Sequence, residues 1–269
     1  MKKISVICSF IIVFVCLISP LWANSFDIAK EELRAFYFYN AQYRFDFYCQ
    51  APFKVEPKNG LNGFKTPEVI HSNLYTPSSK SSKKSKIIEF EHIVPASAFG
   101  KHLSCWNEVS KKGKRGRANC QDLQSTSKDA QLFNQMESDV LNIVPAIGEI
   151  NASRGTLEYF DAPSDLEFSQ YGECKVFVDS KNKKFYPAPY SKGYIARSYL
   201  YMITTYFIPN EIPYDKEEFM RMQEWDKLYP PNSTENALRA QLKQINKKLK
   251  TKQIIKDIDK KLRLLQELI

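Results

Sequence analysis

Apolar side chains recur every three or four positions along several stretches of the chain, and this spacing predicts amphipathic helices. In the first of these stretches, Ser25 is a candidate N-cap for a helix that runs to about Asn40. The aromatic residues of this stretch lie at helical spacing, which favours core packing over a base-stacking surface. Further helices are expected over residues 131–142, 194–207 and 216–228.

The longest amphipathic pattern covers the C-terminal residues 232–269, where apolar positions alternate with many lysines. Asn232 is a candidate cap for this basic helix, and a break is expected near Thr251. The pattern favours a helix that packs on the domain or self-associates. The alternative is an added arm that contacts nucleic acid, another polyanion or a membrane surface.

Two stretches predict strands instead, residues 86–91 and 174–178, because they mix β-branched and aromatic residues with polar ones. Glu91 and His92 stand side by side at the end of the first strand, and Pro95 ends it. A carboxylate can hold a hard cation, and an imidazole can take a proton from water near neutral pH. The pair therefore indicates the start of a metal-assisted hydrolytic site.

Basic residues outnumber acidic ones, 39 Lys and Arg against 30 Asp and Glu, which gives a net charge of +9. Such a balance suits a polyanionic partner. Residues 78–86 form a low-complexity basic loop, which is either a solvated surface segment or a phosphate-contacting arm. A second basic segment presents candidate phosphate-binding residues, namely Lys111, Lys112, Lys114, Arg115 and Arg117.

Residues 1–23 have the organisation of a secretory signal peptide. Lys2 and Lys3 precede an apolar run over residues 4–18, and Ala23 is a small residue at the expected cleavage point. The apolar run is short for a membrane span, so no transmembrane segment is expected in the mature chain. The expected location is the periplasm or the extracellular medium.

Four cysteines remain beyond the predicted signal peptide, and an even number in an exported chain predicts disulfides. Three pairings are possible. We favour Cys105–Cys120, which closes the second basic segment, with Cys49–Cys174 as the remainder. A zinc site is a weaker interpretation, because no CxxC pair is present.

Several sequence motifs occur in a fixed order along the chain, and together they resemble those of the bacterial endonuclease I family of periplasmic and secreted DNases. The resemblance runs from about residue 25 to Pro230. The motifs are EFEHIVPASAFG at 89–100, CW at 105–106, GRANC at 116–120, QMESDVLNIVPAIGEIN at 135–151, QYGEC at 170–174 and IARSYLYM at 195–202.

The resemblance implies an α+β fold, with a mainly helical domain around a ββα-metal (His-Me finger) core. The amphipathic pattern adds a long C-terminal helix, which stands where family members have a shorter tail. On this basis residues 24–231 form the nuclease domain and residues 232–269 a basic helical extension. The resemblance also implies one divalent cation, Mg²⁺, with Ca²⁺ or Mn²⁺ as alternatives. Glu91 and Asn151 match the metal ligands of the family.

Three further residues match functional positions of the family. His92 matches the general base, and Arg117 matches the arginine that neutralises phosphate charge. Glu137 matches an acidic residue close to the site. Arg154 stands three positions after Asn151, so the two share a face if the segment is helical, and Arg154 is expected to contact nucleic acid.

The implied activity is sequence-nonspecific endonucleolytic hydrolysis of double- or single-stranded DNA, with RNA as a further candidate substrate, to 5′-phosphate products. The alternative is a non-catalytic basic protein on the same scaffold that binds nucleic acid or a membrane surface. The sequence departs from the family at Ala51, where many members have the second cysteine of a CxC, and it lacks the C-terminal cysteine pair.

Overall fold

A computed structural model describes residues 25–59, 63–78, 82–110, 113–122 and 127–266, with the side chains of residues 252–266 outside the description. The expected signal peptide, residues 1–23, lies outside the described residues, as do Lys111 and Lys112. None of the helices in the described ranges is both long enough and apolar enough to cross a bilayer.

The described residues form an α+β fold in which helices surround three small sheets. The helices are α1 Ser25–Tyr39, α2 Ala96–Gly100, α3 Ser104–Asn107, α4 Arg117–Cys120, α5 Lys128–Glu137, α6 Gly148–Arg154, α7 Pro189–Met202, α8 Lys216–Leu228 and α9 Ser233–Gln266. The strands are β1 Phe53–Lys54, β2 Glu68–Val69, β3 Ile88–His92, β4 Ile143–Ile147, β5 Glu158–Tyr159, β6 Phe177–Asp179 and β7 Lys184–Tyr186. Short 3₁₀ turns cover Ala41–Tyr43, Lys83–Lys86, Val140–Asn142 and Ile208–Asn210, and a π-helical turn covers Ile203–Phe207.

The strands β3 and β4 and the helix α6 form a ββα unit. β3 pairs antiparallel with β4, so that Glu91 lies opposite Val144 and His92 opposite Ile143. β4 is buried along its whole length, and α6 begins at the next residue. This unit carries the acidic–imidazole pair at one strand end and packs α6 against the same two strands.

The strand β4 was not expected from the sequence, because a proline such as Pro145 normally interrupts regular structure. The hydrogen bonds around Pro145 explain why the strand can contain it. The carbonyl of Pro145 accepts a hydrogen bond from the Phe47 backbone N–H at 2.8 Å, on the side away from β3. In an antiparallel ladder the N–H and C=O of one residue point to the same side, so Pro145 stands where β3 needs no donor.

The aromatic residues of α1 are core residues, as the sequence predicts: Phe26, Phe36 and Tyr37 are buried. Ser25 is the first helical residue of α1, and its hydroxyl lies 3.1 Å from the backbone oxygen and 2.6 Å from the side-chain oxygen of Asn134 on α5, to which it donates. The hydrogen bond ties the start of the described chain to α5.

The helix α9 is continuous from Ser233 to Gln266, so the expected break near Thr251 is absent. Its first half belongs to the packed body, since Leu242 and Leu249 are buried there. The Asn246 side-chain oxygen accepts from the Val140 backbone N–H at 3.3 Å. Residues beyond 231 therefore contribute to the packed body.

Other elements differ from the predicted ones chiefly at their ends. The helix expected over residues 131–142 is α5 followed by a 3₁₀ turn, and it starts earlier because Ser127 accepts from the Ala130 N–H as an N-cap. α7 starts at Pro189, with proline in the first turn, rather than at Tyr194. α8 has the bounds predicted for residues 216–228.

Candidate active site

A cavity of about 320 Å³ opens beside the end of β3. Its lining brings together five of the residues singled out from the sequence, although they come from three separate segments: Glu91, His92, Arg117, Asn151 and Arg154. Apolar and aromatic side chains close the cavity, among them Phe26 and Trp106.

The Glu91 carboxylate has one partnered and one unpartnered oxygen. It is 4% exposed, and its Oε1 accepts from Arg154 Nη1 at 3.1 Å and from the Tyr48 hydroxyl at 3.2 Å. Oε2 is buried and has no donor among the described residues. Burial raises the pKa of Glu91 to about 7, against the opposing effect of the Arg154 charge. A buried carboxylate oxygen without a donor is one that a cation would satisfy.

The His92 ring is held in one tautomer. Its Nε2 lies 2.7 Å from the backbone carbonyl of Glu137, which can only accept, so Nε2 carries the proton. Nδ1 therefore has a free lone pair. The ring packs on Phe26 with centroids 4.5 Å apart. Burial lowers the pKa of His92 to about 3, so the imidazole is neutral at pH 7.

Glu137 is buried and holds two other side chains. Its carboxylate accepts from Arg117 Nε at 2.5 Å and from Gln121 Nε2 at 2.8 and 2.9 Å. Burial raises the pKa of Glu137, and the Arg117 charge opposes that shift. Because its side chain is 0% exposed, Glu137 orients Arg117 from behind rather than facing the cavity.

Arg117 lines the cavity with its guanidinium 5.1 Å from the centre of the Phe26 ring. The side chain is 42% exposed overall, yet its Nη2 is buried and has no acceptor among the described residues. A guanidinium fixed through Nε with an unused N–H group is suited to an anionic oxygen.

Asn151 lies in the middle of α6, and its amide Nδ2 donates to Glu89 Oε2 at 2.7 Å. No donor to its Oδ1 is found among the described residues. Glu91 Oε2 and Asn151 Oδ1 thus offer two oxygen ligands in one cavity. Neither belongs to a group of three or more His, Cys, Asp and Glu side chains, and no such group that could hold a metal occurs in the described ranges.

Arg154 does not lie at a DNA-binding surface, contrary to expectation. It is 1% exposed and donates to Glu91 Oε1, to the His92 carbonyl at 2.9 Å and to the Ile93 carbonyl at 2.5 Å. Its guanidinium lies 4.6 Å from the Tyr159 ring centre. Arg154 therefore supports the metal-ligand candidate Glu91 and the backbone at the end of β3.

Two basic residues of the second basic segment lie at the surface. Lys114 and Arg115 are both exposed, and Arg117 follows them at the start of α4. The disulfide Cys105–Cys120 joins α3 to α4 and so holds this segment beside the cavity. The second disulfide is Cys49–Cys174, and both pairings agree with the favoured prediction.

Sequence reasoning missed three supporting residues: Tyr48, Glu89 and Gln121. Each bonds to a residue named above across 16 to 62 positions of chain. No local spacing could have revealed these contacts. Glu89 alone carried a weak signal, because residues two apart on a strand share a face and Glu91 is its neighbour on that face.

One protein-family model and several known proteins match this chain over most of its length. The family model described as Endonuclease I matches residues 25–248. An extracellular deoxyribonuclease of Aeromonas hydrophila is 35% identical over 217 residues, which cover 80% of this chain and 83% of the relative. A periplasmic deoxyribonuclease of the same species is 32% identical over 79% of this chain and 78% of the relative.

A third relative is Endonuclease-1 of Buchnera aphidicola subsp. Acyrthosiphon pisum (strain APS), 35% identical over 68% of this chain and 63% of the relative. The region that the family model matches, residues 25–248, contains the whole ββα unit and every residue that lines the cavity. The chain is an enzyme of the nuclease class and belongs to the bacterial endonuclease I family.

Proposed function

We propose that this exported nuclease is a Mg²⁺-dependent, sequence-nonspecific endonuclease that hydrolyses DNA, and RNA as a second substrate, to 5′-phosphate products. In this proposal His92 is the general base, Glu91 and Asn151 hold the cation, and Arg117 binds the phosphate. One observation carries it: a single cavity contains a neutral imidazole with a free Nδ1 beside a buried carboxylate oxygen that has no donor.

The donor set fits a hard divalent cation. Endonuclease I family nucleases are generally metal-dependent. Glu91 Oε2 and Asn151 Oδ1 are oxygen ligands, which Mg²⁺ and Ca²⁺ prefer, and Mg²⁺ usually keeps several waters beside one or two protein ligands. When bound there, the cation would neutralise negative charge on the reacting phosphate.

His92 would take the proton from the attacking water. Nδ1 receives that proton, while the Nε2–H bond to the Glu137 carbonyl keeps the ring oriented and stabilises the charge that develops on it. The water oxygen would then attack phosphorus, the bond from phosphorus to the 3′ oxygen would break, and the 3′ oxygen would take a proton from solvent to leave as a hydroxyl. The phosphate would stay on the 5′ oxygen of the downstream nucleotide, which gives the 5′-phosphate product.

Arg117 would bind a non-bridging phosphate oxygen through the N–H groups that Glu137 leaves free. Its ion pair with Glu137 and its contact with Phe26 fix the guanidinium before the substrate arrives. The exposed Lys114 and Arg115 would contact the sugar-phosphate backbone, which carries no sequence information.

The test is plasmid cleavage by the mature chain with Mg²⁺, with and without EDTA. We expect chelator-sensitive nicking by the wild type and a rate lowered by about 10²–10⁴-fold in His92→Ala, the range for a lost general base. His71→Ala is the matched control, because His71 is exposed and lies outside the cavity.

Full activity in His92→Ala, or cleavage that persists in EDTA, would overturn the proposal. Ligation of the products without prior kinase treatment would report 5′-phosphate ends. Products that ligate only after kinase treatment would show that the ends do not carry 5′-phosphate.

A further inference from the structure

Glu89 contacts the candidate metal ligand Asn151 from outside the cavity. Its Oε2 accepts from Asn151 Nδ2 at 2.7 Å, and its Oε1 lies 3.3 Å from Lys84 Nζ. The Glu89 side chain is 28% exposed, whereas Lys84 is exposed by half. The bond to Asn151 is therefore the more sheltered of the two.

The strand register brings the two carboxylates to the same side of the sheet. Glu89 and Glu91 are two residues apart on β3, so their side chains leave the strand on one face. α6 packs against β3 and β4, with Asn151 in contact with Glu89 and in the same cavity as Glu91. Glu89 thus supports the amide from one side, and the cavity lies on the other.

The chemistry of the pair decides which end of the amide faces which way. An ionised carboxylate only accepts hydrogen bonds, whereas an amide has a donating NH₂ and an accepting oxygen. Only the NH₂ can face Glu89, because the reversed amide would bring two acceptors together. The amide oxygen must then point away from Glu89, and it is this oxygen that a hard cation needs.

A second observation shows that the backbone at the start of α6 blocks one side of the Glu89 side chain. A Cβ on Gly148 would lie 3.2 Å from both Cγ and Cδ of Glu89 and 2.9 Å from the Lys84 carbonyl oxygen. The first residue of α6 therefore packs directly against the Glu89 stem. A side chain confined in this way transmits its orientation to its partner.

We propose that Glu89 is a positioning residue that fixes the amide of Asn151 with its oxygen directed to the cation. This inference rests on the proposed function, since it assumes that Asn151 is a cation ligand. Removal of Glu89 would leave the amide free to rotate. Both orientations would then be populated, and cation binding would have to select one.

The experiment measures cation binding by the full mature chain without DNA, using Mn²⁺ and isothermal titration calorimetry. We expect Glu89→Ala to weaken Mn²⁺ binding tenfold or more. Glu89→Gln, which keeps an accepting oxygen, should fall between Glu89→Ala and the wild type. Lys84→Ala is the matched control, because it removes the other partner of Glu89 and should leave Mn²⁺ binding unchanged.

A double-mutant cycle separates positioning from a general structural effect. In Asn151→Asp both outer atoms of the side chain are oxygens, so either orientation can bind the cation. Glu89→Ala should therefore weaken Mn²⁺ binding in the wild-type background and not in the Asn151→Asp background. The Mn²⁺ concentration for half-maximal cleavage should rise with Glu89→Ala, while the rate at saturating Mn²⁺ stays within about threefold of the wild type.

An equal loss in both backgrounds, or Mn²⁺ binding by Glu89→Ala that matches the wild type, would overturn the inference and leave the proposed function intact. A wild-type chain that binds no Mn²⁺ would overturn both. If Glu89→Ala fails to fold, Glu89→Gln in the two backgrounds gives the same comparison.

Discussion

His92 donates its Nε2–H to the backbone carbonyl of Glu137 across 2.7 Å. The carboxylate of the same residue accepts from Arg117. One residue at the end of α5 thus orients both the candidate base and the candidate phosphate ligand, the first through its backbone and the second through its side chain. Substitution of the side chain alone can separate the two effects.

We expect Glu137→Gln to lower the cleavage rate by about tenfold, because Arg117 loses its charged partner while the carbonyl bond to His92 survives. The free energy of unfolding should fall by about 1–3 kcal/mol. Steady-state kinetics and urea unfolding would measure the two quantities. Glu108→Gln, in the same region and exposed, is the control.

The effect of Glu137→Gln on rate should vanish in an Arg117→Ala background if Glu137 acts through Arg117. A further tenfold loss in that background would mean that Glu137 has a separate role in the reaction. The double variant therefore decides between a positioning residue and one that touches the substrate.

Arg154 should matter for stability more than for DNA affinity. Arg154→Ala leaves Glu91 and two backbone carbonyls without their buried donor, and loss of one partner of a buried ion pair costs about 3–5 kcal/mol. Urea unfolding in EDTA would measure this loss. Lys114→Ala with Arg115→Ala should instead reduce the salt dependence of DNA binding at unchanged stability. Weaker DNA binding at unchanged stability in Arg154→Ala would instead mean that Arg154 contacts DNA.

Glu218 lies away from the candidate cation ligands, and we expect its replacement to stabilise the protein in a pH-dependent way. Burial, with a smaller contribution from Glu158, raises the pKa of Glu218 to about 7. Its Oε1 has no donor among the described residues. Above pH 7 both folded and unfolded chains carry the charge, and the folded chain bears the cost of its burial. Below the ordinary pKa of about 4.5 both are protonated, and the cost is absent.

Glu218→Gln should therefore stabilise the protein at pH 8 by about 1 kcal/mol, an amount that allows for the partial exposure of the side chain. The gain should disappear towards pH 4.5. Urea unfolding across this range, with the exposed neighbour Glu217→Gln as control, would measure it. A gain that is equal at both ends of the range would contradict the prediction.

The first half of α9 should be required for stability. Besides burying Leu242 and Leu249, it places Glu235 against Arg197 on α7, with Nε and Nη2 at 2.6 and 2.5 Å from the two carboxylate oxygens. A chain that ends at residue 231 loses all of these contacts, whereas one that ends at residue 251 keeps them. We expect the shorter chain to be protease-sensitive and the longer one to unfold at the wild-type urea concentration.

Leu242→Ala tests the same contact in the full chain. It should cost about 2–5 kcal/mol, the range for truncating a fully buried leucine. A value near zero would mean that α9 packs too weakly to stabilise the domain.

The sequence by itself determined what depends on neighbouring residues. Helical spacing located α1, α8 and α9, and the β-pattern located the strand that ends in Glu91 and His92. The order of the sequence motifs indicated the family. These signals are local, because a helix or strand shows its buried face in the spacing of its own side chains.

Tertiary structure decided what depends on residues far apart in the chain. The bonds from His92 to Glu137, from Asn151 to Glu89 and from Arg154 to Glu91 span 45, 62 and 63 positions. They fix the tautomer of His92, the orientation of the Asn151 amide and the burial of Arg154. Pro145 can lie inside β4 because its nitrogen is on the side of the strand away from β3, where the pairing with β3 requires no N–H donor. Each of these outcomes depends on which groups meet in the folded chain, and residue types at a given spacing do not contain that information.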